Sequence, residues 1–160
     1  MNSHDDMGGP PEALETTRAA AEAFGLALDG GDLAAVQQLL AAECACVEGG
    51  SRILGVGSVM ALLRAAVRWA ERSFDEVRSA STLVDVSAGI ARLDVVIVWM
   101  RVPGRWHRLC FERVLAVRPG GKIGCFTNAC DAAAAAAFAN FASESGAPPV
   151  PLGFGVRMEG

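Results

Sequence analysis

The first part of the chain has apolar residues at helical spacing. A helix is predicted to begin at Pro11, and the segment Asp29-Gly30-Gly31-Asp32 ends it. Asp32 is predicted to cap a second, short helix, and Ser58 to cap a third. Between the second and third helices, residues 44–48 predict a short strand that glycine-rich turns follow. Three helices are therefore expected early in the chain.

After the third helix the spacing of apolar residues changes to the alternation that is typical of strands. Dipeptides and tripeptides that contain glycine or proline separate the alternating runs. The predicted strands are 74–87, 90–102, 106–118 and 122–130. Because the connections are short, we expect an antiparallel meander. Asp131 is then predicted to cap an alanine-rich helix that ends at about Phe141, and the tail from Gly146 to be extended over the surface.

Early helices followed by long antiparallel strands predict an α+β fold, with a sheet curled around its helices. With 160 residues and 52% hydrophobic composition, the chain fits one compact domain. We expect a disordered N-terminal tail over 1–11, a domain over 12–142 and an extended C-terminal tail over 143–160.

Composition and charge exclude several classes of partner. The net charge is −4 and the 14 basic residues are scattered, so no surface for nucleic acid is expected. The five cysteines form no Cys-x-x-Cys pair and accompany only two histidines, so the chain predicts neither a disulfide framework nor a metal site, and we expect no cofactor. There is no secretory signal and no apolar stretch of membrane-spanning length, so the interpretation is a cytoplasmic protein without a membrane partner.

Candidate chemistry is concentrated on the second and third strands of the meander. If Pro103-Gly104 is a two-residue turn, position 94 lies opposite position 113, and Arg92, Asp94 and Arg113 share one face with apolar residues. Buried charges are costly unless they are paired or used, so this predicts an ionised Asp94 between two guanidinium groups. The alternatives are an ion cluster at the rim or on the outer surface. A turn longer by one residue would bring Glu112 or Cys110 inside in place of Arg113.

Other residues are weaker candidates. His107 can transfer protons near neutral pH, although a solvent-exposed histidine beside a turn is the commoner case. Glu48 is either a base or an ordinary carboxylate at a strand end. Asn128 is expected to face the cavity or to cap backbone groups. The predicted ligand-binding residues are Phe24, Trp69, Val96, Val98, Leu109, Phe111 and Asn128. For Trp69, a place in the core or in an interface is the simpler interpretation.

The order of these pieces resembles the nuclear transport factor 2-like superfamily. The resemblance covers roughly residues 12 to 142, and four segments carry it: 24–32, 39–43, 57–63, and 114–123 followed by Asp131. It implies a cone-shaped α+β barrel, which usually forms a homodimer through its sheet, with a pocket for a small apolar molecule. The superfamily includes SnoaL-type polyketide cyclases, ketosteroid isomerases and limonene epoxide hydrolases, as well as proteins that have a pocket and no known reaction.

The family's catalytic residues carry over only in part. The Arg92-Leu-Asp94 spacing resembles that of limonene epoxide hydrolases, but their second aspartate falls near Asn128 and the chain contains no tyrosine. Ketosteroid isomerases use a tyrosine donor, a protonated aspartic acid and a carboxylate base. In this chain Phe24 stands at the position of the tyrosine, Arg113 stands near that of the protonated acid, and the position of the base falls at or beside Glu48. A SnoaL-type cyclase needs little more than one acid/base residue in an apolar cavity, so these losses do not exclude it.

Two functional classes follow. The first is a general acid/base enzyme, of the cyclase, isomerase or epoxide hydrolase type, that acts on a small apolar substrate through Asp94, Arg92 and Arg113 with help from His107 or Glu48. The second is a non-catalytic module that binds a hydrophobic ligand or only pairs with a second copy of itself.

Overall fold

The protein is described here by a computed structural model that covers residues 11–101 and 104–154. Its helices and strands, in chain order, are α1 (Pro11–Asp29), α2 (Leu33–Leu39), β1 (Leu40–Glu48), β2 (Ser51–Leu54), α3 (Val56–Ser73), β3 (Glu76–Ser87), β4 (Ile90–Arg101), β5 (Arg105–Val117), β6 (Ile123–Ala129) and α4 (Ala132–Glu144). The predicted α+β class is confirmed. No helix in the described part of the chain has both the length and the apolar character that crossing a bilayer requires.

The strands form a single curved sheet in the order β2-β1-β6-β5-β4-β3. Strands β3 to β6 are the predicted antiparallel meander, and β1 adds to it in parallel with β6. Residues 51–54, which were predicted as turn, form the short edge strand β2 against β1. The cone-shaped α+β architecture that was expected is thus present as a strongly curved sheet, which is not closed because β2 and β3 remain edges.

Side-chain caps begin two of the helices as predicted. The Asp32 carboxylate accepts a hydrogen bond from the Ala35 amide, and Asp131 accepts one from Ala134. The prediction that Ser58 caps the third helix is wrong. Gly55, at φ +90°, turns the chain directly out of β2, and α3 begins at Val56. Ser58 therefore lies inside the first turn of the helix.

The pairing of β4 with β5 differs from the predicted register by one residue. Arg101 pairs with Arg105, so the connection holds three residues, of which Val102 and Pro103 lie outside the described residues. Asp94 consequently lies opposite Glu112, and Leu93 lies opposite Arg113. Because a slip of one residue turns every side chain of a strand to the other face, β4 presents its odd-numbered residues to the helices.

Two apolar clusters fill the concave side of the sheet. The first joins α1, α2 and α3 to the middle of the sheet, with Phe24 and Phe126 fully buried at its centre. The second joins α3, α4 and the hairpin end of β4 and β5, around Trp69 and Trp99. Between them, the helices leave part of the concave face uncovered.

The C-terminal tail does not run over the surface as expected. Helix α4 continues to Glu144, three residues past the predicted end, and the chain then folds back so that Val150 and Gly153 are buried. The predicted disordered tail over 1–11 falls, except for Pro11, outside the described residues, as do residues 155–160.

Candidate functional site

A cavity of about 680 Å³ opens between the helices and the concave face of the sheet. Apolar side chains of α3 and β4 form part of its wall, and three exposed acidic residues, Glu71, Asp75 and Glu76, also line it. The lining residues include Asp29, Leu63, Ala66, Val95, Arg113 and Phe154. Its volume lies in the range that is typical of small-molecule sites.

Among the described residues that line this cavity, Arg113 is the only basic one. It projects from the inner face of β5 and is 5% exposed, and its guanidinium lies 5.3 Å from the ring centre of Phe111 and 5.8 Å from that of Phe24. Burial lowers the pKa of Arg113 from its ordinary 12.5 to about 10, against the opposing charge of Asp29. The side chain is therefore a buried cation at neutral pH.

A chain of hydrogen bonds holds this guanidinium from behind. Arg113 Nε donates to Asn128 Oδ1 at 2.8 Å, and Asn128 Nδ2 donates to Glu48 Oε1 at 2.9 Å. The other carboxylate oxygen, Glu48 Oε2, accepts from the Gly153 amide at 2.8 Å. Sheet register explains the alignment, because Asn128 on β6 pairs with Glu48 on β1 and with Arg113 on β5.

The terminal nitrogens of Arg113 have no such partner within residues 11–101 and 104–154. Among the described residues, only Asn128 accepts a hydrogen bond from this guanidinium, and no carboxylate lies within the 4 Å of an ion pair. A guanidinium has five N–H donors, so the two terminal groups remain available on the side of the cavity. The wall therefore offers a fork of donors to an oxygen atom of a bound molecule.

Asp29, the last residue of α1, is the carboxylate that acts most strongly on Arg113. Its Oδ1 accepts from the hydroxyls of Ser79 at 2.7 Å and Ser81 at 3.0 Å, and its Oδ2 accepts from the Ser81 amide at 2.7 Å. One acceptor position of Oδ2 stays open. The sequence analysis missed this residue. Its signal was an acidic side chain at the C-terminal end of a helix, where the helix dipole disfavours negative charge.

The structure brings three predicted site residues together, namely Glu48, Asn128 and Arg113, with Phe24 beside them. The predicted cluster around Asp94 is not formed. Asp94 and Arg92 are exposed on the convex face, and Arg92 lies 3.5 Å from Glu112 in a surface ion pair. The register slip between β4 and β5 is the cause, since it sends the even-numbered residues of β4 outward while Arg113 stays inside.

The remaining predicted residues lie away from the cavity wall. Val96 and Val98 are on the convex face, as the same slip requires, whereas Leu109 and Phe111 point inward into the second apolar cluster. Trp69 also belongs to that cluster. His107 is half-buried under α4, with its ring 5.1 Å from that of Phe141, and burial lowers its pKa. It does not line the cavity.

The Cys46 thiol interacts electrostatically with Arg113. Burial, together with the nearby charge of Glu48, raises the pKa of the Cys46 thiol to about 12, so it stays protonated. In the described ranges, no three side chains of histidine, cysteine, aspartate or glutamate are grouped as metal ligands would be.

No family model matches the chain, and no curated protein matches its sequence. Solved structures with the same architecture do match it. A ketosteroid isomerase structure from Kribbella flavida DSM 17836 is 19% identical with a TM-score of 0.57, over 72% of this chain and 77% of that one. A polyketide cyclase structure from Xanthomonas campestris pv. campestris is 20% identical with a TM-score of 0.55, over 72% and 90%.

An LEH-like epoxide hydrolase from M. tuberculosis is 22% identical with a TM-score of 0.53, over 75% of this chain and 83% of that one. The chain has the nuclear transport factor 2-like fold. A single fold can carry many unrelated functions. The nuclear transport factor 2-like architecture thus leaves the activity to be argued from Arg113 and its neighbours.

Proposed function

We propose that this protein binds a small, mainly apolar molecule that carries an oxygen function, and that it acts on that molecule by general acid/base chemistry. The observation that carries the proposal is the buried guanidinium of Arg113 at the wall of an apolar cavity, whose terminal nitrogens have no partner in the part of the chain that the structure describes. An unpaired buried cation is costly, so it is retained where a ligand supplies the missing acceptor. The similar isomerase, cyclase and epoxide hydrolase structures support an enzyme of this general type.

A carbonyl, enol or phenol oxygen suits this site. The guanidinium fork donates two nearly parallel hydrogen bonds to one oxygen or to a pair of oxygens, and in an apolar wall these bonds are stronger than in water. The apolar remainder of the ligand would contact Leu63, Ala66 and Val95. Developing negative charge on the oxygen would be stabilised without reorganisation of the wall.

Asp29 is the proposed proton acceptor. In this step a proton beside the carbonyl moves to Asp29 Oδ2, and the electron pair of the C–H bond moves through the carbon onto the oxygen as an enolate. Arg113 stabilises the enolate, and return of the proton to the same or a neighbouring carbon restores the carboxylate. Atoms and electrons balance without any further reactant.

Binding is tested with three probes that share one ring system: naphthalene, 2-naphthol and 2-naphthoate. We expect calorimetry to show that 2-naphthol and 2-naphthoate bind more tightly than naphthalene. Arg113→Met should reduce the ratio of these affinities by roughly tenfold to hundredfold, because the variant loses a hydrogen bond to a charged group. Arg108→Met, on the exposed face of the same strand, is the control. Equal binding of all three probes by the unsubstituted protein would refute the proposed ligand class.

Catalysis is tested separately by exchange of the α-protons of 1-tetralone in D₂O, followed by NMR. We expect exchange faster than in buffer, with Asp29→Asn abolishing it and Arg113→Met slowing it by roughly a hundredfold or more, as for the loss of an oxyanion donor. Exchange at the buffer rate, with the naphthol preference intact, would instead support the alternative function, a non-catalytic ligand-binding module. The three hydrogen bonds that Asp29 already accepts favour this alternative.

We also propose that the convex face of the sheet pairs with a second copy of the chain. Exposed apolar side chains on this face include Ile90, Met100 and Trp106, which is 63% exposed. They are interspersed with charges of both signs, such as Arg92 and Asp94. A face with both signs can complement itself across a twofold axis.

A further inference from the structure

The segment from Ala147 to Phe154, called the C-terminal segment below, is built into the molecule. Its first amide, at Ala147, donates to the Ala142 carbonyl as α4 ends. The Trp69 indole then donates to the Pro148 carbonyl at 3.0 Å, and Val150 is 7% exposed. Because the indole N–H of Trp69 donates to this backbone, the hydrogen bond holds the C-terminal segment against α3.

Gly153 brings the C-terminal segment to the buried hydrogen-bond chain. Its amide donates to Glu48 Oε2, and its backbone has φ +122°. A Cβ at this position would lie 3.1 Å from the Cβ of Ala66 on α3. Both the conformation and the close approach to the helix require glycine here.

Phe154 follows and forms one end of the cavity. Its ring meets the Trp99 ring edge-on, at 87° with 5.0 Å between ring centres, and lies 5.7 Å from the ring of Trp69. Gly153 and Phe154 both line the cavity, together with residues of the helices and of the sheet. The C-terminal segment therefore closes a space that the helices and the sheet leave open.

We propose that the C-terminal segment is a specificity-determining wall, in which Phe154 limits the length of the ligand and Gly153 is the positioning residue that seats it. This inference rests on the proposed function, because it concerns the same cavity. Removing the Phe154 ring extends the cavity toward Trp99. A ligand with one more ring along that axis then fits, while the oxygen function stays at Arg113.

The test compares 2-naphthol with the three-ring 2-anthrol by calorimetry. We expect the unsubstituted protein to prefer 2-naphthol, and Phe154→Ala to shift the ratio of the two affinities by roughly tenfold or more toward 2-anthrol, as for a change of a few methylenes in an apolar pocket. Gly153→Ala should shift the ratio in the same direction, because it unseats the ring. An unchanged ratio in both variants, with Arg113-dependent binding retained, would overturn the inference and leave the proposed function standing.

Two controls separate the wall from general damage. Phe141→Ala removes a buried ring of the same aromatic cluster that does not line the cavity, and it should leave the ratio unchanged. Gly57→Ala, in α3 with open space around the position, should also leave the ratio of the two affinities unchanged.

A readout without ligand keeps the inference independent of the choice of probe. In a Trp106→Phe background, acrylamide quenching of fluorescence reports on Trp69 and Trp99, which are 8% and 0% exposed. Phe154→Ala should increase quenching, while circular dichroism of the helices stays the same. Unchanged quenching would mean that Phe154 does not cover these rings.

Discussion

At the scale of single residues, the site depends on Asn128 being an amide. An aspartate there would pair with Arg113 and repel Glu48, whereas the amide donates to one and accepts from the other. It links the cation to the carboxylate and leaves the terminal nitrogens of Arg113 unpaired. The position of this neutral bridge explains how a charged group can be both buried and available to a ligand.

We expect Asn128→Leu to lower the free energy of unfolding by about 3 kcal/mol or more, because two buried charged groups each lose a hydrogen bond that is worth about 1.5–3 kcal/mol. Urea unfolding followed by circular dichroism measures the change. Thr127→Val, at the neighbouring position on β6 with its side chain on the other face, should change the free energy by less than about 1 kcal/mol. Similar losses in both variants would contradict a special role for Asn128.

At the scale of elements, the packing of α4 against β5 determines the state of His107. Phe141 of the helix stacks on its ring, Phe138 contacts it at a tilt of 41°, and burial lowers its pKa below the ordinary 6.5. The histidine is thus part of the interface between a helix and a strand, on the inner face but outside the cavity. Sequence analysis placed His107 beside the turn. It could not predict the contact with α4, because the contacting residues of that helix lie more than 30 positions later in the chain.

This packing predicts a dependence of stability on pH. Because the pKa of His107 is lower in the folded chain than in the unfolded chain, its contribution is complete above pH 6.5 and is lost as the pH falls through the folded value. We expect the free energy of unfolding to decrease between neutral and mildly acidic pH, and His107→Gln to flatten part of that decrease. Urea titrations at a series of pH values measure it. Identical pH profiles of the two proteins would contradict the assignment.

At the scale of the whole molecule, the sheet has one covered and one uncovered face. The concave face carries the cavity and both apolar clusters, and the convex face keeps Ile90, Met100 and Trp106 exposed. Exposed apolar residues gathered on one face are typical of an interface rather than of a free surface. The two faces would then separate ligand binding from association.

We expect sedimentation velocity at micromolar concentrations to give a dimer. Val96→Arg should shift it to the monomer, because Val96 pairs with Ala80 and Cys110 near the middle of the convex face, where an added charge has no partner. Leu26→Arg, at a position on α1 that is 76% exposed, should leave the dimer intact. A monomeric unsubstituted protein, or a Val96→Arg variant that still dimerises, would refute the proposed pairing.

Local rules in the sequence determined the elements of this protein and their order. The alternation of apolar and polar residues predicted the four strands between residues 74 and 130, and the short connections predicted that they form a meander. Helical spacing, together with the capping residues Asp32 and Asp131, predicted the helices. These features depend on neighbours within a few residues, which the sequence contains directly. The α+β class followed from them, whereas the resemblance to nuclear transport factor 2-like proteins depended on four particular segments and their order.

Tertiary structure alone decided which side chains meet. One residue in the connection between β4 and β5 sent Asp94 to the convex face, and strand alternation gives no information on the length of a turn. Pairing across three strands joined Glu48, Asn128 and Arg113, and the return of the chain after α4 brought Gly153 to the same place. Such contacts join residues up to 105 positions apart, so the inward and outward faces of the sheet, and with them the site, are fixed only by packing.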